Sequence, residues 1–536
     1  MPLTDWFLTP AERGNPDTDI DSRHDDGTAW TEGNDGQVLI DGTDYFARLH
    51  QVLGECRAGD WVSFTDWQGD PDELLDGPGT AVGEVLAELA GGGVNVRGLL
   101  WRSHPEAMNF GERKNLEFSR AINEAGGQVL LDQRVRRGGS HHQKLFLVQH
   151  PDPARDVAFV GGIDLCHGRR DDHRHLGDPQ VVELDDLHYG ARPPWHDLQI
   201  EVRGPAVDDL AWSFAERWRD PNPLDTRNPL RSVLHRVANH PDAPDAPGAL
   251  PPSRPAEPDG PLAVQVLRTY PARRRAYPFA TEGERSIARA YLKAFSRARR
   301  LVYLEDQYLW SLAATDALRD ALAHNPELHI VVVIPRYPDP DGALAGEASR
   351  IGRERVLDAL HAVGHERVAV YDLENVDGTP IYVHSKVCVI DDVWMAVGSD
   401  NLNRRSWTHD SELSCAVIDS RRDGRVPTDP AGLGDGARVL ARDTRVRLAA
   451  EHLGRPPDDV DDLVDPASWF EALRKGADAI DNWHRLAGVG ERPPGHLREH
   501  PIERVRGHRR WGRGVVHAVL LDPDGRPQHL RRRNAF

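Results

Sequence analysis

Two histidines each stand two residues before a lysine, in His142-Gln143-Lys144 and in His384-Ser385-Lys386. The chain holds 66 basic residues, of which only five are lysine (Lys114, Lys144, Lys293, Lys386 and Lys475) and 61 are arginine. Two of five lysines in the same short relation to a histidine is a coincidence that chance rarely supplies. Imidazole can act as a nucleophile, or as an acid or base near neutral pH. Two histidines facing one another could divide that work at a phosphorus centre. One attacks phosphorus and the other protonates the departing alcohol oxygen. A lysine two residues along a strand points to the same face as its histidine. There it would hold non-bridging phosphate oxygens and offset charge in the transition state. Such a site calls for no metal and no cofactor.

A nucleophilic imidazole must be held in one tautomer, which a carboxylate on its other nitrogen does. Asp197 and Glu412 are the candidates, at corresponding places after their motifs. Each motif strand is also followed by a glycine-bearing turn, Gly161-Gly162-Ile163-Asp164 and Gly398-Ser399-Asp400-Asn401. Glycine lets backbone N–H groups approach an anion closely. His141 should face away from the motif. Cys166 and Cys388 read as buried structural thiols. The runs DIDSRHDD (19–26) and DDHRHLGD (171–178) read as solvated loops rather than cation sites. Trp61, Trp67, Trp101, Trp195, Trp212 and Trp218 read as core.

These residues need elements to carry them, and the chain supplies the elements twice. WVSFTDW from Trp61 corresponds to LVYLEDQYL from Leu301, VNVRGLLW from Val94 to LHIVVVIP from Leu328, and GQVLLDQ from Gly127 to RVAVYDLE from Arg367. Each half then reaches its His-x-Lys and a further strand, DVAFVGG or DVWMAVGS. A His-Asp pair follows, His196-Asp197 or His409-Asp410, leading into one more strand. Helix-spaced segments such as GTAVGEVLAELA separate the strands, which predicts an α/β fold. The segment PDAPDAPGALPPSRPAEPDG (241–260) holds seven prolines and cannot be regular structure. The expected organisation is a first lobe over 1–225, a Pro-rich linker over 226–260, a second lobe over 261–475 and a C-terminal extension over 476–536.

At this point the sequence resembles the phospholipase D superfamily, whose mark is a duplicated His-x-Lys-x4-Asp followed by a Gly-Gly or Gly-Ser turn. HSKVCVID (384–391) fits in full, whereas HHQKLFLVQ has Gln149 where the pattern has Asp. FVGGIDLCHGRRDD, PWHDLQIEVRGPAVDDLAWSFAERW, ERSIARAYLKAF, VYLEDQYL, DSE (410–412) and RVRLAAEHLG extend the likeness to eukaryotic-type phospholipases D over roughly residues 60 to 455. The resemblance implies two pseudo-repeated α/β/α sandwich lobes with mixed sheets, packed about a pseudo-twofold axis that carries one active site. It implies a phosphohistidine intermediate, with His142 as nucleophile and His384 as acid; the residues themselves leave that order open. Lys144, Lys386 and Asn401 would bind phosphate, with Asp164 in the corresponding place of the first turn and turned away or bonded to something else. Asp197 and Glu412 would orient the histidines, and Asp391 would anchor its motif structurally. The implied reaction is hydrolysis of a phospholipid head-group diester to phosphatidate and alcohol, with transfer to another alcohol as a variant. The rivals are a phosphatidyltransferase of the cardiolipin-synthase kind, a nuclease, and a non-catalytic lipid-binding scaffold.

Bulk properties narrow the choice. A net charge of -19 argues against a general nucleic-acid binder. The start MPLTDWFLTP lacks the basic and apolar regions of a signal peptide, and no apolar run of about 18 residues reads as a membrane span. Fewer than about 60 residues precede the first strand of the repeat, too few for the lipid-targeting modules those enzymes often carry. Four cysteines in 536 residues make no disulfide framework. The expectation is a cytoplasmic monomer, peripheral where it meets its phospholipid substrate at a membrane surface.

Overall fold

The computed structural model describes residues 1–103, 112–180, 188–224, 247–337, 343–502, 514 and 517–536, with 343–348 as backbone alone. The apolar runs form strands. The first half contributes β1 (Thr31–Ile40), β2 (Trp61–Asp66), β3 (Asn95–Trp101), β4 (Gln128–Asp132), β5 (Leu145–Gln149), β6 (Val157–Gly161), β7 (Trp195–His196) and β8 (Leu198–Arg203). The second half contributes β9 (Leu262–Tyr270), β10 (Glu284–Arg285), β11 (Leu301–Glu305), β12 (His329–Val333), β13 (Val368–Glu374), β14 (Pro380–Val383), β15 (Val387–Ile390), β16 (Trp394–Gly398), β17 (Glu412–Asp419) and β18 (Leu497–Glu499).

The duplication is explicit in the sheet order. Strands β4, β3, β2, β5, β6, β8 and β1 lie side by side. The order β13, β12, β11, β15, β16, β17 and β9 repeats it. In each set the first three strands are parallel and the rest antiparallel. The two sets are joined, because Asp35–Ile40 of β1 pairs with β8 while Thr31 and Asn34 pair with β9. The mixed α/β architecture is the expected one, realised as one large mixed sheet.

Side-chain alternation builds the layers. Leu145 and Leu147 of β5, with Val387 and Val389 of β15, enter one central cluster shared by both halves. Phe146 and Val148 face a second cluster, under helices Gly42–Gly54, Val82–Gly91 and Arg113–Glu124. Cys388 and Ile390 face a third, under helices Ser286–Arg297 and Leu312–His324. Each fully buried Val, Leu or Phe contributes about 1.5–3 kcal/mol relative to exposure. A one-residue slip in β5 or β15 would exchange the two clusters, so the register is strongly specified.

The ends of the lobes depart from the sequence-based boundaries. Helix Pro466–Arg485 runs through the expected break at 475/476, started by Asp465, whose carboxylate accepts from Ala467 N and Ser468 N at 3.0 Å each. Strand β18 of the supposed extension pairs with β13. Trp6, Phe7 and Leu8 pack in the outer cluster of the second half, not the first. Of the Pro-rich linker, 226–246 lies outside the described residues. Residues 247–260 are irregular but strapped to the first lobe: Gly248 N donates to Gln128 Oε1 (2.7 Å), Ser253 Oγ to Asp208 Oδ2 (2.7 Å) and Arg254 Nη1 to Pro151 O (2.9 Å).

Candidate active site

The two motifs meet, and each histidine is held by the other lobe. His142 Nδ1 lies 2.9 Å from Glu412 Oε2, at the start of β17. His384 Nδ1 lies 2.7 Å from Asp197 Oδ2, between β7 and β8. The backbone crosses over as well: His142 N donates to Ser411 O (3.0 Å) and His384 N to His196 O (2.8 Å). Both imidazoles line one cavity of about 440 Å³, together with Asp164, Asn401 and Glu412. Burial first, then the lysine charges, drives both histidines well below their usual pKa. Burial also raises their carboxylate partners, Asp197 to about 6 and Glu412 to about 8.

The lysines sit beneath the histidines. Lys144 Nζ donates to His142 O at 3.2 Å and Lys386 Nζ donates to His384 O. Lys144 is also 3.2 Å from Asp164 Oδ1. That contact answers what the acid in the first turn is bonded to. Burial alone would raise Asp164, but Lys144 and a hydrogen bond from Asp66 outweigh it and hold Asp164 below the usual carboxylate range. Asp66, raised by burial and then by Asp164, keeps the proton of the pair. In the second turn Asn401 takes the equivalent place with its Oδ1 buried and without a hydrogen-bond partner among the described residues. Burial lowers Lys386 to about 8.

The glycine turns have a different role from the one expected of them. Gly162 N is committed to Leu198 O, Gly398 N to Lys386 O and Ser399 N to Leu413 O, so these groups do not face an anion. The glycines make room instead. A Cβ on Gly161 would lie 1.8 Å from Gln199 Oε1, one on Gly162 2.1 Å from Asp197 Oδ1, and one on Gly398 1.9 Å from Ser414 Oγ. Ser399 acts through its hydroxyl, which donates to Glu412 Oε2 at 2.6 Å. Asp391 is fully buried away from the cavity. Its carboxylate accepts from the backbone N–H of Arg299 (2.8 Å), Arg300 (2.8 Å) and Leu301 (2.9 Å), the approach to β11. Gln149 stands inside β5, paired with Trp61. There Gly59 N and Asp60 N bond to Gly93 O and Arg57 O instead.

Several contributors escape a reading of the motifs. Asp66 and Asp306 are equivalent strand-end carboxylates that tie each Gly turn to its sheet: Asp66 Oδ2 accepts from Leu165 N (3.0 Å) and Asp306 Oδ2 from Leu402 N (2.6 Å). The repeat alignment already pairs them, which was the available signal. Trp67, Trp101 and Trp195 line the cavity rather than the core, joined there by Tyr308, Trp310 and Tyr382. Trp195 stacks on Tyr382 (4.7 Å) beside His384 (5.0 Å), and the Arg169 guanidinium covers the Trp195 ring at 3.8 Å. His141 is buried beside Arg217 and Asp132, off the cavity. Cys388 and Cys166 are buried free thiols.

The run 171–178 is not a solvated loop. His175 is fully buried, and Asp171 accepts from Trp195 N and Gly177 N. Asp41, His175, His196 and Glu451 present ligand atoms within 4.8 Å of one another, a set of imidazoles and carboxylates that could hold a divalent cation. His196 also bonds Glu305, which takes His452 and the Ser385 hydroxyl. This buried network braces the second motif from below. In the run 19–26, His24 is bonded to Asp209 and Thr28 O.

A two-lobed α/β fold thus carries a duplicated, cross-braced His-x-Lys pair in one cavity. The chain matches the family model for Phospholipase D over residues 70–325 and that for Cardiolipin synthase, PLD-like domain, over 291–423. It is 26% identical over 569 residues to phospholipase D alpha 2 of Oryza sativa subsp. japonica, covering 82% of this chain and 67% of that one. It is 26% identical over 477 residues to phospholipase D delta of Arabidopsis thaliana, covering 68% and 53%. This chain thus spans about two thirds and about half of these relatives. Among solved structures it is similar to phosphatidylserine synthase of Haemophilus influenzae Rd KW20, with a TM-score of 0.48, 13% identity, and 73% of this chain and 84% of that chain covered. The two family matches together run from 70 to 423, so most of the chain is similar to proteins of the phospholipase D superfamily. Among the described residues no helix is long and apolar enough to cross a membrane.

Proposed function

We propose that the chain hydrolyses phospholipid head-group diesters through a phosphohistidine. The observation that carries this is the reciprocal pairing of His142 with Glu412 and His384 with Asp197 in one aromatic-lined cavity. With Nδ1 held by Glu412, His142 presents Nε2 to phosphorus. A P–N bond forms as the P–O bond to the head group breaks, and His384 gives its proton to the departing alcohol oxygen. His384 acquires that proton when the substrate anion offsets the lysine charges that otherwise depress its pKa. Lys144, Lys386 and Asn401 hold the non-bridging oxygens. Water then gives a proton to His384 and attacks phosphorus, releasing phosphatidate and restoring His142. An alcohol in place of water yields a new diester, so transphosphatidylation uses the same residues. Tryptophan and tyrosine walls suit the glycerol and acyl portion of a lipid better than a nucleic-acid backbone, which selects open basic grooves.

The test is head-group release from phosphatidylcholine in mixed micelles, run with EDTA and with calcium, for wild type, His142→Ala and His384→Ala. Release by wild type and a loss of about 10³-fold or more in each variant is expected. Silence on lipid with cleavage of bis-p-nitrophenyl phosphate would discard the substrate and keep the site. Silence on both under either condition would leave the scaffold reading.

A further inference from the structure

We infer that a groove beside the active-site mouth, lined by Arg136, Arg137, Arg273, Arg274 and Arg275, is an anionic-lipid docking face. The groove encloses about 620 Å³, and no carboxylate is among its described lining residues. That is unusual on a chain of net charge -19, whose surface should on average repel phosphate. Arg273 is paired with Asp220 at 2.9 Å. Arg137, Arg274 and Arg275 have no ion-pair partner among the described residues, and all three are exposed. Three unpaired guanidiniums in one groove offer forked donors suited to phosphate oxygens.

Position makes the partner a bilayer surface. Arg136 Nη1 donates to Gly525 O at 3.0 Å, tying the groove to the segment 517–525. That segment carries Val519 and Leu520, exposed by 62% and 65%, while its Leu521 lines the catalytic cavity. Arg405, also on the cavity wall, joins the pieces by donating to Gly138 O (2.9 Å) and Leu520 O (3.4 Å). Cationic groove, apolar tip and cavity mouth therefore share one edge, the loop 136–140. Arginines at phosphate depth beside a shallow apolar insertion are what binding to the plane of an anionic bilayer requires. A nucleic acid would find no use for the exposed Val519 and Leu520. The proposal uses the lipid reading of the active site only for the orientation of this face.

The test is flotation of the full chain with unilamellar vesicles of phosphatidylcholine, with and without phosphatidylglycerol. Wild type, Arg137→Glu/Arg275→Glu and Leu520→Ser are compared. Each basic residue near an anionic surface is worth about fivefold in partitioning. The double reversal is expected to lower binding to phosphatidylglycerol vesicles by about 25-fold or more, and the Ser variant by about fivefold. Wild-type binding should weaken as salt rises. Cleavage of a soluble diester by the double reversal should equal that of wild type, which shows that the variant is folded. Failure of wild type to bind, equal binding by the reversal, or indifference to phosphatidylglycerol overturns the proposal. So does loss of single-stranded oligonucleotide binding in the reversal while vesicle binding stays. Because flotation needs no turnover, vesicle binding without head-group release would refute the proposed activity alone; release without binding would refute the docking face alone.

Discussion

Replacing Asp391 by asparagine or alanine separates a structural from a catalytic use of the motif carboxylate. Oδ1 accepts from Arg300 N and Leu301 N, and Oδ2 from Arg299 N, with the side chain fully buried. Asparagine keeps one oxygen but turns an amide N–H₂ toward Arg299 N, and the two remaining bonds lose their charge assistance. One bond lost and two weakened costs roughly 3 kcal/mol. Alanine strands three buried donors and costs roughly 4–5 kcal/mol. On the scale for a lobe of about 200 residues, 3 kcal/mol lowers Tm by roughly 6–12 °C. The assay pairs a thermal melt with kcat/KM measured well below the melting transition. Because Asp391 is not among the residues lining the cavity, kcat/KM for Asp391→Asn should stay within about threefold of wild type. A variant that melts like wild type yet loses 100-fold in kcat would refute the structural account.

Further outcomes follow from the same geometry. Asp197→Asn and Glu412→Gln should each lower kcat by about 10²–10⁴-fold with a small change in Tm, because each removes the group that fixes an imidazole tautomer. Gly162→Ala should lower kcat by about 10²-fold, since its Cβ would arrive 2.1 Å from Asp197 Oδ1 and displace the partner of His384. Lys386, lowered to about 8 by burial, is a cation below that pH, so kcat/KM should fall as pH rises through about 8. The sign of its stability term is opposite. The unfolded chain binds that proton more tightly, so Lys386 adds stability as pH rises from about 8 toward its unfolded value, and a melt across this range separates lost activity from unfolding.

Much of the fold and site is legible before any coordinates. The strands of the repeat, the His-x-Lys pairs and the carboxylates Asp197 and Glu412 are all local patterns. Each depends only on residue type, a period of two, or equivalence between halves. The Trp residues of the cavity were hidden because core and site tryptophans look alike in sequence; what separates Trp195 from Trp218 is which of them has His384 beside it. The helix crossing 475/476 is not legible locally because its place is set by β12, far earlier in the chain, and by β18, which is itself held by β13.

By itself the sequence determined a duplicated α/β chain with two His-x-Lys motifs, the pattern on which the proposed two-histidine chemistry rests. Only the tertiary structure decided that each histidine takes its carboxylate from the opposite lobe, because a pseudo-twofold exchange of partners leaves no trace in local spacing. It alone decided that Asp164 is neutralised by Lys144 and Asp66 while Asn401 is left with an unpartnered oxygen, for the two turns look equivalent until their neighbours are known. It also gathered Asp41, His175, His196 and Glu451 from positions 41 to 451 into one buried cluster. Ionic and metal-ligating contacts act over a few ångströms in space, and sequence separation carries no information about them.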